Sequence, residues 1–181
     1  VGQAVSILAS SMTGFALSIW VFQQTSSATS LGIMQSAFVL PYLLIIPLAG
    51  VMVDRYNRKL MTAVSDLTAG LGTLAILLLY TTGHLQIWHF YAVNVVIGLG
   101  NAFQWPAYSA ALTMIVPKQH YTRANALTEL AGNTSGIFAP LLAGALLGVI
   151  GLSGILAIDI IALAVAVGAL LIVHIPQPKA T

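Results

Sequence analysis

Three carboxylates, Asp66, Glu129 and Asp159, stand inside stretches that are otherwise almost wholly apolar. In a membrane helix such a group costs about 2.5–3.5 kcal/mol on insertion scales, so each is a candidate for proton carriage or ion pairing. Asp66 and Glu129 lie near basic residues, and ion pairs with Arg55, Arg58 or Arg123 compete with a proton-carrying role. Asp159 has no cation close by in the sequence; it can hold a proton or take hydrogen bonds from hydroxyls and backbone. A fourth acid, Asp54, sits in "GVMVDRYNRK" (50–59) beside Arg55, Arg58 and Lys59, which are three of the chain's six basic side chains. At the C-terminal end of a helix Asp54 meets the negative end of the helix dipole, so it needs a cationic or helix-N-terminal partner.

Neutral polar side chains form a second set. Asn94, Gly98, Asn101, Trp105 and Tyr108 recur at spacings of four and three, one helical face, with Gln104 beside it and Pro106 available to kink the helix. Gln3, Ser6, Ser10 and Thr13 repeat the pattern near the start. Such faces look into a helix bundle or a water-filled cavity. Asn94, Asn101, Gln104 and Trp105 are therefore candidate substrate contacts, with hydrogen bonding between helices as the competing use. His84, His89, His120 and His174 lie near helix ends without a metal-ligand spacing, and there is no cysteine. No nucleophile elbow or phosphate loop appears, and the acids sit at different depths, so enzyme chemistry and cofactors are not expected.

The medium that holds these residues follows from composition. Of 181 residues 59% are hydrophobic and 6% charged, and mean hydropathy is +0.97. Soluble domains carry about 25% charged residues, so the expected solvent is a lipid bilayer. A net charge of +2 offers no surface for nucleic acid. The start at Val1, already apolar and without a basic leader, suggests a fragment that begins inside its first membrane helix.

Six stretches reach the length of about 20 apolar residues that a crossing needs: 1–22, 32–53, 60–82, 88–115, 122–149 and 152–174. With this count Arg55, Arg58, Lys59, Lys118, Arg123 and Lys179 all fall on one face, which the positive-inside rule makes cytoplasmic, with both termini. Trp20, Tyr80 and Trp88 then fall near the outer ends as an aromatic belt. Pro47 before Gly50 in helix 2 and Pro140 before Gly144 in helix 5 fit an inverted 3+3 repeat. The expected class is all-α, a polytopic membrane protein. In helix 5, Gly132, Gly136, Pro140, Gly144 and Gly148 recur every four residues, a stripe that admits close helix approach or a homodimer seam.

Gly50, Asp54, Arg55, Arg58 and Lys59 resemble the G-x-x-x-D-R-x-G-R-R/K loop between helices 2 and 3 of the major facilitator superfamily, with Asn57 in place of the second glycine. Asn tolerates a left-handed backbone next best after Gly, so the turn is expected to survive. "VPKQHYTRANAL", "FQWPAYSAAL" and "AIDIIALAV" are similar to the enterobactin-exporter and macrolide-efflux branch. The resemblance spans the whole chain. It implies the N-terminal half of a twelve-helix exporter in a bacterial inner membrane, working by alternating access with proton antiport, its substrate small and partly apolar. It further implies that the charged loop latches this half to a C-terminal six-helix half. Helices 1, 2, 4 and 5 would line the pathway, with helices 3 and 6 outside it. The helix 5 stripe resembles, in part, a leak-restricting glycine motif of antiporters. The alternative is a homodimeric six-helix channel or structural protein.

Overall fold

The structure, a computed structural model, describes residues 2–172. They form helices α1 (Gly2–Thr25), α2 (Ala28–Arg55), α3 (Arg58–Thr81), α4 (Ile87–Ile115) and α5 (Tyr121–Ile172), with a 3₁₀ turn, Lys118–His120, before α5 and no strand among the described residues. Among the described residues four stretches are long and apolar enough to cross a membrane: Val5–Thr25, Ala28–Val53, Leu60–Thr81 and Lys118–Ala169. The chain is all-helical, as its hydropathy pattern indicates.

Local chemistry sets the helix ends. Ser26, with φ 49°, breaks the chain after α1, and the Ser27 hydroxyl caps α2 by accepting from the Ser30 amide. Gly83, with φ 73°, ends α3: its amide reaches Tyr80 O at 3.1 Å and the His84 amide reaches Leu79 O at 2.9 Å. This is the paired bonding of a Schellman cap. Asn57 behaves differently from the expectation. It is extended, with φ −62° and ψ 114°, and its side chain caps α3 by accepting from the Leu60 amide at 3.1 Å. The turn therefore survives through capping, with no left-handed residue in the α2–α3 link.

The last helix also differs from the two separate spans expected. Tyr121–Ile172 is helical except at Gly151 (φ 66°, ψ −177°). A straight helix of 52 residues would run about 78 Å, against about 30 Å of hydrocarbon. The break divides it into arms 121–150 and 152–172. Residues 173–174 of the expected sixth span, His174 and Lys179 lie outside the described residues.

The principal pairings are α1 with α5, α2 with α4, and α3 with α4. Met12, Ala16, Val21, Ile76, Phe90, Ala139, Ala143 and Leu156 form much of the buried core. At one end Trp20 packs edge-on to Tyr80 and tilted on Phe90, with centroids 6.5 and 5.2 Å apart. Glycines of α4 permit close approach of neighbouring helices. A Cβ on Gly98 would strike the Phe38 carbonyl oxygen, and one on Gly100 the Thr68 hydroxyl. Large apolar side chains cover the outside, among them Leu44, Leu71, Leu141 and Val149. In water so much contiguous apolar surface would drive association; in lipid it is the ordinary outer face.

Candidate functional site

Polar residues from four helices and the arm 152–172 converge on a cavity of about 430 Å³, Gln35 entering from α2. α1 contributes Ser6, Ser10 and Thr13, α3 contributes Asp66 and Thr73, and α4 contributes Asn94, Asn101 and Gln104. Each set lies on one face because its spacing is three, four or seven residues. Asp159 enters from the arm, while Ile76, Phe90 and Leu163 supply apolar wall.

Two carboxylates are buried at this cavity. Asp159 is 1% exposed and Asp66 2%. The Ser10 hydroxyl donates to Asp159 Oδ1 at 2.8 Å, and the Thr73 hydroxyl donates to Oδ2 at 2.9 Å. Thr13, on the same face of α1, sets a third hydroxyl beside this carboxylate. Asp159 thereby ties α1 and α3 to the arm. Gln104 Nε2 donates to Asp66 Oδ1 at 2.9 Å, tying α4 to α3. Asp66 and Thr73 are two helical turns apart on α3, about 10 Å along its axis. Among the described residues no Lys, Arg or His lines the cavity, so their contribution to its potential is negative wherever either acid is ionised.

The expected substrate contacts divide. Asn94, Asn101 and Gln104 line the cavity, with Asn94 also donating to Phe90 O on its own helix at 2.8 Å. Trp105 does not. It is 52% exposed and stacks on Tyr108 with centroids 6.3 Å apart. Of the other acids, Glu129 is exposed on α5, away from the cavity.

The helix 5 stripe faces outward. A Cβ on Gly132, Gly136, Gly144 or Gly148 would meet nothing within 4 Å, so these glycines do not pack helices within this chain. That role falls to Ala139 and Ala143, both 0% exposed, one residue round the helix. Gly136 and Pro140 line a second cavity of about 340 Å³, which shares Ser11, Gly14, Leu17, Gln35 and Asn94 with the first.

In the charged loop Asp54 lies in the last turn of α2, and Arg58 and Lys59 in the first turn of α3, joined by Tyr56 and Asn57 alone. Both signs oppose the dipole of their own helix. Gly50 is half-buried in α2 with open space around it, and Arg55 is exposed. Among the described residues no three His, Asp or Glu side chains gather as a metal site.

Sequence reasoning passed over Thr73 and Gly100, and took Gly98 only as a member of the α4 face, not as a point of close helix contact. Thr73 had a readable signal, seven residues beyond Asp66 and so on its face. The two glycines in "IGLGN" (97–101) had only their spacing of two, which places them toward different neighbours.

Across residues 1–181 the sequence matches the family model described as Major Facilitator Superfamily. It is similar to macrolide efflux protein A of Streptococcus pyogenes, 32% identical over 178 residues, 97% of this chain and 44% of that protein. Macrolide efflux protein A of Enterococcus faecalis is 33% identical over 140 residues, 76% of this chain and 43% of that protein. Multidrug resistance protein 2 of Bacillus subtilis is 30% identical over 121 residues, 63% of this chain and 27% of that protein. The chain thus spans less than half the length of these relatives.

Proposed function

The chain belongs to the Major Facilitator Superfamily, and from that premise we propose that it is the N-terminal half of a secondary drug exporter. It moves small, partly apolar compounds, macrolide-like among them, out of a bacterial cell. The observation that carries this reading is the polar cavity walled by apolar side chains and closed by buried Asp66 and Asp159, inside a bundle whose outer face is apolar. Small-molecule sites have this character, mostly apolar with a few convergent polar groups.

The bundle sits in the inner membrane as six crossings, its basic loops cytoplasmic. The pairings support an inverted 3+3 repeat, which exchanges the first span with the fourth and the second with the fifth. The α2–α4 pairing then maps onto arm 121–150 against α1, where Ala139 and Ala143 share the buried core with Met12 and Ala16. Alternating access rocks this half against a C-terminal six-helix half. The charged loop that carries Asp54, Arg58 and Lys59 latches that half, as the family resemblance implies. Proton antiport through a buried acid drives export. The outward stripe, with Gly136 and Pro140 at the second cavity, faces the other half and restricts leak. It would equally seat a second copy of this chain, the second reading; the polypeptide length and mass of the native assembly separate the two.

The test is flux. The full-length protein in vesicles should concentrate a macrolide when a proton gradient is imposed and lose that ability when the gradient is collapsed. Asp54→Asn should insert normally yet transport poorly; wild-type flux in that variant reduces the loop to a topology signal.

A further inference from the structure

We propose that the two cavities are lobes of one chamber for a bulky amphipathic molecule, and that Gly14 on α1 limits the size of what can span them. The proposal rests on the exporter reading and deepens it by assigning parts of the substrate to parts of the chamber.

The lobes, of about 430 and 340 Å³, share Ser11, Gly14 and Leu17 of α1, Gln35 of α2 and Asn94 of α4. These five residues form the seam where one space meets the other. Drug-sized sites occupy about 300–1,000 Å³. Each lobe alone lies in the lower part of that range, and the joined chamber reaches its upper half. A Cβ on Gly14 would meet nothing within 4 Å. The seam beside α1 is therefore open space, and any larger side chain at this position enters it.

The lobes differ in chemistry. The first presents Asp66, Asp159, Asn101 and Gln104. The second is walled by Phe15, Met34, Ala139 and Pro140. Its α1 hydroxyls are turned back on their own helix: Ser11 donates to Ile7 O at 2.7 Å, and Ser18 donates to Gly14 O at 2.8 Å. A hydroxyl has one donor, so neither has an O–H left for a ligand. Apolar surface gains by leaving water, whereas a polar group buried without hydrogen bonds is penalised. The ligand's hydrogen-bonding end accordingly lies in the first lobe, and its apolar body passes Gly14 into the second. A macrolide, an apolar ring bearing polar sugars, has this division.

The experiment uses the full-length transporter carrying Asn101→Cys in the first lobe and Gly136→Cys in the second. This chain has no cysteine of its own. Maleimide labelling of each cysteine is followed separately by peptide mass spectrometry as a macrolide is added, without a gradient. Labelling at both positions should slow, with one shared half-maximal concentration. Gly14→Leu in the same background should raise that concentration at least tenfold at both positions, and Gly14→Ala should raise it by less. Should Gly14→Leu fail to fold, the Gly14→Ala variant and the paired protection decide. Protection at one position only, protection at neither, or unequal half-maximal concentrations overturn the single chamber. A concentration unmoved by Gly14 substitution, or a lower melting temperature for Gly14→Ala, overturns the role of Gly14 and makes it a packing residue. Wild-type vesicles that accumulate no macrolide under a proton gradient sink the exporter reading instead, whatever the labelling shows.

Discussion

Gln104 on α4 holds Asp66 on α3 through an amide hydrogen bond of 2.9 Å across 38 residues of sequence. The amide N–H stabilises the ionised carboxylate of an acid only 2% exposed. Two residues that each read as possible ligands are thus partly occupied with one another, and both still face the cavity.

Removing the amide should therefore harm folding before it harms recognition. Gln104→Leu leaves the Asp66 oxygen without that donor, a loss of about 1–3 kcal/mol. Asp66→Asn keeps an acceptor in place and should cost less. Thermal unfolding of the detergent-purified protein ranks them, and equal stability of Gln104→Leu and wild type would show the bond to be incidental.

Two glycine substitutions should part company. Gly98→Ala drives a methyl into the Phe38 main chain, and overpacking of this kind costs about 1–3 kcal/mol; backbone cannot step aside, so the upper end is expected. Gly136→Ala meets nothing within 4 Å and should leave the melting temperature unchanged or raised, since Ala favours helix by about 1 kcal/mol. Its effect should appear only in flux, since this is the face proposed to meet the other half.

At Gly151 the backbone takes φ 66° and ψ −177°, a region nearly confined to glycine. Gly151→Ala should cost about 1–3 kcal/mol and lower the yield of folded protein in membranes. Unaltered thermal stability in that variant would mean the two arms join with helical geometry.

Asn57 supplies a test of capping against backbone conformation. Loss of the cap in Asn57→Ala should cost about 1 kcal/mol, whereas Asn57→Gly should cost only a few tenths. A glycine variant more stable than wild type would point to a left-handed residue at that position.

What the sequence determined was the solvent, the helical class and the places where helices begin and end. Lipid offers the backbone no hydrogen bonds, so each crossing must satisfy itself locally, and local needs leave local traces: apolar runs, Ser27, Asn57, Gly83. What only the tertiary structure decided was which polar faces meet. Ser10 and Asp159 are 149 positions apart, and nothing in either neighbourhood names the other. Trp105 shares the spacing of Asn94 and Asn101 yet points away from the cavity, because the helix face is wider than the opening it lines. The helix 5 glycines look like a packing seam, while the seams within this chain run through Gly98, Gly100, Ala139 and Ala143. Contacts between distant helices depend on the fit of whole side-chain surfaces, and periodicity along one helix carries no information about the surface opposite.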